Sequence, residues 1–389
     1  MTNGNSRFNA SAFGGNADDT VRIRKGRDGM NIGALLSIRC PTIATVLLIL
    51  PLALVSARAV VAQPGETRTQ EQIRADLNNR LAEADQNLNK SPEDGYNFLS
   101  RALIYSELFY KIRDAEEKAS YAEKALTDFN KAVELSPGSW AALTGRAGFR
   151  ASVDLLLGFD EIVADYLKAI RAAEKYKEDN ARFPYAVQGI AEVIAESYNA
   201  LSNVYLRRAE TLSKNPGLNA KLPPQPEPYN PWDDFDTATA YAQKAVKKPF
   251  DLMKVINTRL AKGDAAYKAH EYVIALAAYQ SDEQYLGKDY YLLCEEEPSK
   301  QWCASEQRRL TLMFSIRRGR VYLKLYQTEN ALKELEVYFA KAYHLECRDI
   351  FLLRAQAYRQ LGNKERALAD EEKAGKSASA TCPFDVPNY

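Results

Sequence analysis

Beyond about residue 70, the apolar residues of this chain recur every three to four positions, the spacing of helices that bury a single stripe. The stretch Ala125–Pro137, ALTDFNKAVELSP, shows the pattern most plainly. Ala125, Phe129 and Ala132 share one helical face, where the alanines let a neighbouring helix come close and Phe129 fills the space between. Pro137 lacks a backbone N–H and restricts the residue before it, so this helix is predicted to end near Ser136. A helix of this kind cannot bury its face alone. It needs one partner before it and another after it, which predicts a stacked array of helical hairpins.

The rest of the chain fits that array. Residues 70–90 read as an amphipathic helix with Ile73, Leu77, Leu81, Ala84 and Leu88 on one stripe, placed as a cap. YNFLSRALIYSELFYK then runs out and ASYAEKALTDFNKAVELSP returns, joined around RDAEEK by a connection longer than a hairpin needs. A second hairpin starts at Trp140 and returns through FDEIVADYLKAIRAAEK. The third is split. Its outgoing helix is AVQGIAEVIAESYNALSNVYLRRAETLS, its returning one FDTATAYAQKAVKK, and the prolines of the insertion from Asn215 to Asp234 exclude regular helix between them. Three further hairpins are RLAKGDAAYKAHEYVIALAAYQSDEQY, RRGRVYLKLYQTENALKELEVYFAKA and FLLRAQAYRQLGNKERALADEEKAGK. The last turns at Leu361-Gly362-Asn363, where Gly and Asn tolerate positive φ.

These hairpins resemble the tetratricopeptide repeat, a family of 34-residue helix–turn–helix units. The resemblance rests on a small residue and Tyr in the first helix, then Ala, an aromatic, Ala and Pro in the second. The first unit matches with Ala102 and Tyr105, then Ala125, Phe129, Ala132 and Pro137, although twenty residues separate Tyr105 from Ala125 where the family uses nine. In the second unit Tyr166 and Ala169 match, while Ile162 and Arg150 depart from the pattern. The third places Tyr205 in the aromatic position, with Ala238, Ala242 and Ala245 returning. Gly263, Tyr267, Ala275 and Tyr279 carry the fourth, with its turn near His270. Gly319, Tyr322, Ala331 and Leu335 carry the fifth, and Ala355, Tyr358, Gly362, Ala367 and Ala374 the sixth. The implied fold is all-α, a right-handed superhelical α-solenoid over residues 94–376, with a Pro-rich insertion at 215–235. A capping helix at 63–93 precedes it and a tail at 377–389 follows.

What the family implies about function is a groove. Its first helices line a concave surface that holds a partner's peptide or helix. Carried over residue by residue, the groove-facing positions are Asn199, Asn203 and Arg207 in the third unit. The fourth contributes Asp264, Tyr267 and Lys268, and the fifth Arg320 and Lys324. Asn can grip an extended backbone through paired hydrogen bonds, and Arg or Lys suits a carboxylate. Some members clamp a partner's terminal carboxylate with Lys, Asn and Arg. Gly148 and Ala151 stand where such groups are needed, so that clamp does not transfer. The cluster Arg317–Arg318 with Arg320 and Lys324 reads either as an anionic-peptide site or as ordinary exposed helix charge.

Composition bears on compartment and partner. Lys+Arg and Asp+Glu total 52 and 51. The first 62 residues hold seven Lys/Arg and three Asp, which leaves 45 and 48 beyond them, a net of −3. A nucleic-acid binder normally shows a strong basic excess, so no nucleic acid is expected as a partner. Residues 1–62 read as a targeting segment. A basic run at Arg22–Arg27 precedes the apolar stretch Ile43–Val55, and AVVAQ offers a signal-peptidase cut between Ala62 and Gln63. Met30 is an alternative start. The expectation is an exported protein of the bacterial periplasm or cell envelope, the alternative a chain anchored in the membrane through residues 43–61.

Past that cut lie Cys294, Cys303, Cys347 and Cys382. An even count in an exported chain reads as disulfides, with three full pairings open and Cys294–Cys303 plus Cys347–Cys382 favoured. Catalytic constellations are not found. Two histidines, His270 and His344, lie apart, there is no CxxC, and GxSxG, HExxH and phosphate-cradling sequences are missing. Neither metal nor cofactor is expected. The reading is a non-catalytic interaction scaffold or assembly factor. The alternative from another class is an all-helical enzyme or enzyme subunit using acidic side chains inside the superhelix.

Overall fold

Short polar side chains at the helix starts satisfy amides that have no intrahelical partner. Thr69 and Gln72 close a capping box ahead of α1 (Gln70–Lys90). Asp94 caps α2 (Gly95–Lys111), Asp114 caps α3 (Ala115–Leu135) and Ser139 caps α4 (Trp140–Val153). α5 (Phe159–Asp179) and α6 (Pro184–Lys214) follow, the latter opened by a proline at its first position. Asn230 caps α7 (Pro231–Ala245). Then come α8 (Pro249–Lys268), α9 (Tyr272–Gln280), α10 (Ser299–Lys324), α11 (Thr328–Lys341), α12 (Arg348–Gln360) and α13 (Lys364–Lys376). The computed structural model describes residues 69–222, 229–246, 249–281, 299–341 and 347–377.

Consecutive helices pair as hairpins: α2 with α3, α4 with α5, α6 with α7, α8 with α9, α10 with α11 and α12 with α13. Each hairpin also packs on the next, and α1 covers α2 at the beginning of the stack. The core is a row of local clusters, as expected when each unit touches only its neighbours. In the first, Phe129 lies fully buried between Phe149 and the small residues Ala102, Ala125 and Ala132. The Phe129 and Phe149 ring centroids are 5.9 Å apart, and Phe109 meets Phe149 edge-on at 5.2 Å. Leu77 and Ala84 of α1 seat against Ile104 and Leu108.

Two boundaries differ from the sequence reading. The connection between α2 and α3 spans only 112–114, because α3 begins at Ala115 and runs for 21 residues. The extra length between Tyr105 and Ala125 is thus helix, not loop. Regular helix also enters the proline-rich insertion. A 3₁₀ segment covers Pro216–Lys221 and α7 starts at Pro231, where a proline at the first position has no amide hydrogen bond to lose. In the hairpin turns of the last three units, one residue takes the left-handed conformation. It is His270 at φ 63°, Tyr326 at φ 57° and Gly362 at φ 75°, so glycine fills this role only once.

A charged pair that the sequence reading did not anticipate ties five of the hairpins. Arg101 donates through Nε and Nη2 to Asp128 at 2.7 and 2.9 Å. Arg146 does so to Asp165 at 2.7 and 2.6 Å, and Arg208 to Asp234 at 2.6 Å for both contacts. Arg318 holds Glu334 at 2.9 Å twice, and Arg354 holds Asp370 at 2.7 Å twice. In every case the arginine stands one residue before the small residue of the first helix, which is Ala102, Ala147, Ala209, Gly319 or Ala355. The fork geometry fixes how the two helices of a hairpin lie against each other. This register also corrects the third unit. Ala209 and Leu212, not Tyr205, occupy the places that Ala102 and Tyr105 fill in the first. Tyr205 instead packs edge-on to Phe159 at 5.0 Å and against Tyr241 at 5.6 Å.

Candidate functional site

The first helices of neighbouring hairpins lie side by side, α2 with α4, α4 with α6, α6 with α8, and α10 with α12. An ion pair joins α8 to α10 where Arg317 donates to Asp264 at 2.8 and 3.0 Å. Together they make one face, and between α6 and α8 it opens into a cavity of about 590 Å³. Glu210, Ser213 and Lys214 line it from α6, and Asn257, Asp264 and Lys268 from α8.

The residues expected to face a partner fall into three groups. Asn203, Arg207, Lys268 and Lys324 are exposed on this face, with Lys268 at the cavity. Asn199 is half-buried, and its main-chain oxygen accepts Nζ of Lys254 at 2.6 Å. Burial lowers the Lys254 amine to a pKa of about 8. Tyr267 and Arg320 are also half-buried. Burial raises the Tyr267 phenol while the nearby Arg320 guanidinium opposes that rise. Asp264 is already engaged. Besides Arg317 it accepts the Tyr279 hydroxyl at 2.6 Å, so its carboxylate braces hairpins as much as it lines the cavity.

The Arg317–Arg318 cluster divides. Both side chains are buried, and Arg318 belongs to the Glu334 pair while Arg317 serves Asp264. Neither is exposed helix charge, and only Arg320 and Lys324 remain on the face. Glu210, Lys214 and Asn257 were missed. Their signal is register. Lys214, Lys268 and Lys324 each stand five residues after the small residue of their helix, and Glu210, Asp264 and Arg320 one residue after it.

The cysteines part company as well. Cys347 is buried with a free thiol among Leu312, Ile316 and Leu335, 3.2 Å from the Tyr338 hydroxyl. The favoured Cys347–Cys382 bridge is therefore not made, because the Cys347 side chain turns into the core. Cys303 is buried and disulfide-bonded. Cys294 and Cys382 lie outside the described residues, as do residues 43–61. Among the described residues no helix is long and apolar enough to cross a membrane, and no group of three His, Cys, Asp or Glu is placed to hold a metal.

Among the described residues, six stacked helical hairpins make an α-solenoid. Among solved structures, it is similar to a chain of the APC/C hetero-tetramer Cut9–Hcn1 at 12% identity and a TM-score of 0.26, over 85% of this chain and 49% of that one. The TPR domain of P58(IPK) is similar at 13% and 0.20, over 87% and 94%. A chain of Naa15/Naa10 bound to HypK-THB is similar at 14% and 0.22, over 86% and 63%. The chain thus spans about half of the first of these and under two thirds of the third. Scores this low add nothing to the helix pairing. No family model matches the sequence, and no curated protein does.

Proposed function

We propose that this protein is a non-catalytic interaction scaffold or assembly factor that holds a segment of a partner protein against its first-helix face. The observation that carries the reading is the cavity between α6 and α8, about 590 Å³, where amide, hydroxyl and charged side chains rim an apolar wall of Leu260, Ala261, Ala265 and Ala269. Helices braced by buried ion pairs present such groups with little conformational freedom left to lose on binding. We place the protein in the bacterial periplasm or cell envelope. The basic run, the apolar stretch Ile43–Val55 and the small residues before Gln63 support export, and a bonded Cys303 suits an oxidising compartment. We take Cys294 as its partner.

Photo-cross-linking tests the scaffold reading. A benzophenone amino acid replacing Asn203 is expected to capture a discrete protein in an envelope fraction, and the same probe replacing the exposed Lys168 of α5 is not. Equal capture from both positions, or none from either, refutes it. Intact mass of the recovered protein is expected to begin at Gln63. A mass that retains residues 43–61 refutes release from the membrane.

A further inference from the structure

Two junctions between hairpins carry the same pair of side chains and differ by one carboxylate. Between the fourth and fifth hairpins, the Tyr279 hydroxyl of α9 donates to Asp264 of α8 at 2.6 Å. Arg317 of α10 donates to the same carboxylate at 2.8 and 3.0 Å. Asp264 stands one residue after the small residue of its helix, and Arg317 two residues before the small residue of the next first helix. Between the second and third hairpins, Tyr166 and Arg207 take the equivalent places. Tyr166 follows Ile162 by four residues as Tyr279 follows Ala275, and Arg207 stands two before Ala209. The place of Asp264 is taken by Gly148. On α6 and α8 that place carries Glu210 and Asp264, which line the cavity, so it belongs to the first-helix face. A Cβ on Gly148 would lie 3.2 Å from the Tyr166 hydroxyl, which therefore reaches the face where the glycine has no side chain.

Tyr166 is only 6% exposed, and no described residue accepts from its hydroxyl. The Tyr110 hydroxyl nearby bonds Ser152 at 2.7 Å instead, and Ser152 donates to the Gly148 carbonyl at 3.1 Å. Burial lifts the Tyr166 phenol to a pKa of about 12, so it remains a donor at neutral pH. A buried donor without an acceptor is costly to keep. Arg207 is exposed and forms no ion pair with a described residue. Of the acids on this part of the face, Glu107 is held by Arg80 of α1, and Glu210, one turn along α6 from Arg207, lines the cavity toward α8. Arg150 is two residues from Gly148 and so lies on another side of α4. We propose that the junction between the second and third hairpins binds a carboxylate of a partner protein in the place that Asp264 fills two hairpins on, with the Tyr166 hydroxyl and Arg207 as its donors. The proposal rests on the scaffold reading above. At the remaining junctions Phe129, Phe235 and Leu335 stand in the tyrosine's place and offer no hydroxyl.

Fluorescence anisotropy on the purified protein tests this with three labelled peptides. One is an end-blocked Ala-Gly-Ala-Asp-Ala-Gly-Ala, the second its Asn counterpart, and the third Ala-Gly-Ala-Gly-Ala with a free terminal carboxylate. Whichever acid peptide binds tighter identifies a side chain or a chain terminus as the source, and it is expected to exceed the Asn peptide by about ten-fold. Y166F removes one oxygen and is expected to weaken the acid peptide by about five-fold, the worth of one hydrogen bond. R207M is expected to erase the preference for acid, and R171M, exposed on α5, to change it by less than about two-fold. G148D supplies the carboxylate from the chain itself. It is expected to bind neither acid peptide and to raise the midpoint of thermal unfolding, a gain that Y166F or R207M added to it should remove. Equal binding of the Asp and Asn peptides together with no binding of the free terminus overturns the proposal. So does an acid preference that survives Y166F and R207M, or one that survives G148D. Should the Asn203 cross-link persist in Y166F/R207M while no acid peptide is preferred by the parent, the carboxylate assignment fails and the scaffold reading stands.

Discussion

Replacing Asp165 by alanine strikes the pair that fixes the second hairpin. Arg146 donates to Asp165 at 2.7 and 2.6 Å, with 18% of the arginine side chain and 8% of the aspartate exposed. At an effective dielectric of about 20, charges about 4 Å apart attract by roughly 4 kcal/mol. Desolvation has consumed much of that, but D165A leaves the arginine's desolvation uncompensated. Breaking a buried pair from one side costs about 3–5 kcal/mol. Arg146 retains a contact to Asn130 Oδ1 at 3.2 Å and some water, so about 2–3 kcal/mol is expected here. R146M/D165L removes both charges and keeps the volume, which places it within about 1 kcal/mol of the parent. The assay is urea unfolding followed by Trp140, which lies at the start of α4 and packs edge-on to Tyr176 of α5 at 5.3 Å. With Trp232 and Trp302 changed to phenylalanine, the fluorescence reports the second hairpin alone. A D165A cost below about 0.5 kcal/mol, or a double variant as unstable as the single one, would refute the reasoning.

Four further outcomes follow from other parts of the stack. A Cβ on Gly263 would overlap the Tyr279 ring, which its hydroxyl bond to Asp264 holds in place, so G263A is expected to lose about 2–3 kcal/mol. G138A meets nothing within 4 Å and should be neutral or slightly stabilising in the same denaturation assay. Burial holds the Lys254 pKa at about 8 against an ordinary 10.5, so the unfolded chain binds more protons between those values. Stability is therefore penalised below pH 8 and recovers as pH rises from 8 to 10.5. After a discount for partial solvent access, K254M is expected to stabilise by about 1–2 kcal/mol at pH 7 and by less at pH 10. An advantage for K254M that fails to shrink with rising pH refutes that account. Cys347 is expected to resist alkylation in the folded protein and to react fully in denaturant, as read by mass. Rapid native labelling would contradict its burial.

The hairpins were legible because their determinants are local. Small residues such as Ala102, Gly319 and Ala355, and large ones such as Phe129 and Tyr279, recur at helical spacing and are buried in the structure. The arginine–carboxylate pairs were not legible by spacing. Their sequence separations are 27, 19, 26, 16 and 16 residues, since helix lengthening and the third unit's insertion lie between the partners. Each partner alone looks like solvated helix charge. Recurrence of an arginine directly before the small residue was the signal available, visible in RA at 101, 146, 208 and 354 and RG at 318. The face residues were half-legible for a related reason. Lys268 and Lys324 follow from the repeat register, but Glu210 and Lys214 require the third unit aligned on Ala209, and Tyr205 drew that alignment elsewhere. Asn257 stands six residues before Gly263, ahead of the fourth unit's motif.

The fourth hairpin breaks the rule that the others keep, and the break decides what Asp264 does. Lys262 and Ala278 stand where the other units have arginine and acid, and Lys262 reaches back to Asp236 of α7 at 2.5 Å. Without its own pair, this hairpin is tied forward instead, through Arg317 of α10 and the Tyr279 hydroxyl meeting at Asp264. D264N keeps the shape and the tyrosine bond but removes the carboxylate charge that Arg317, whose side chain is only 8% exposed, pairs with here. A cost of about 2–4 kcal/mol is expected, read as a lower midpoint in thermal or urea unfolding. A variant as stable as the parent would refute this assignment and leave Asp264 a residue of the cavity wall alone. The expected result makes it the joint between the fourth and fifth hairpins, holding Lys268 and Lys324 in step on one face.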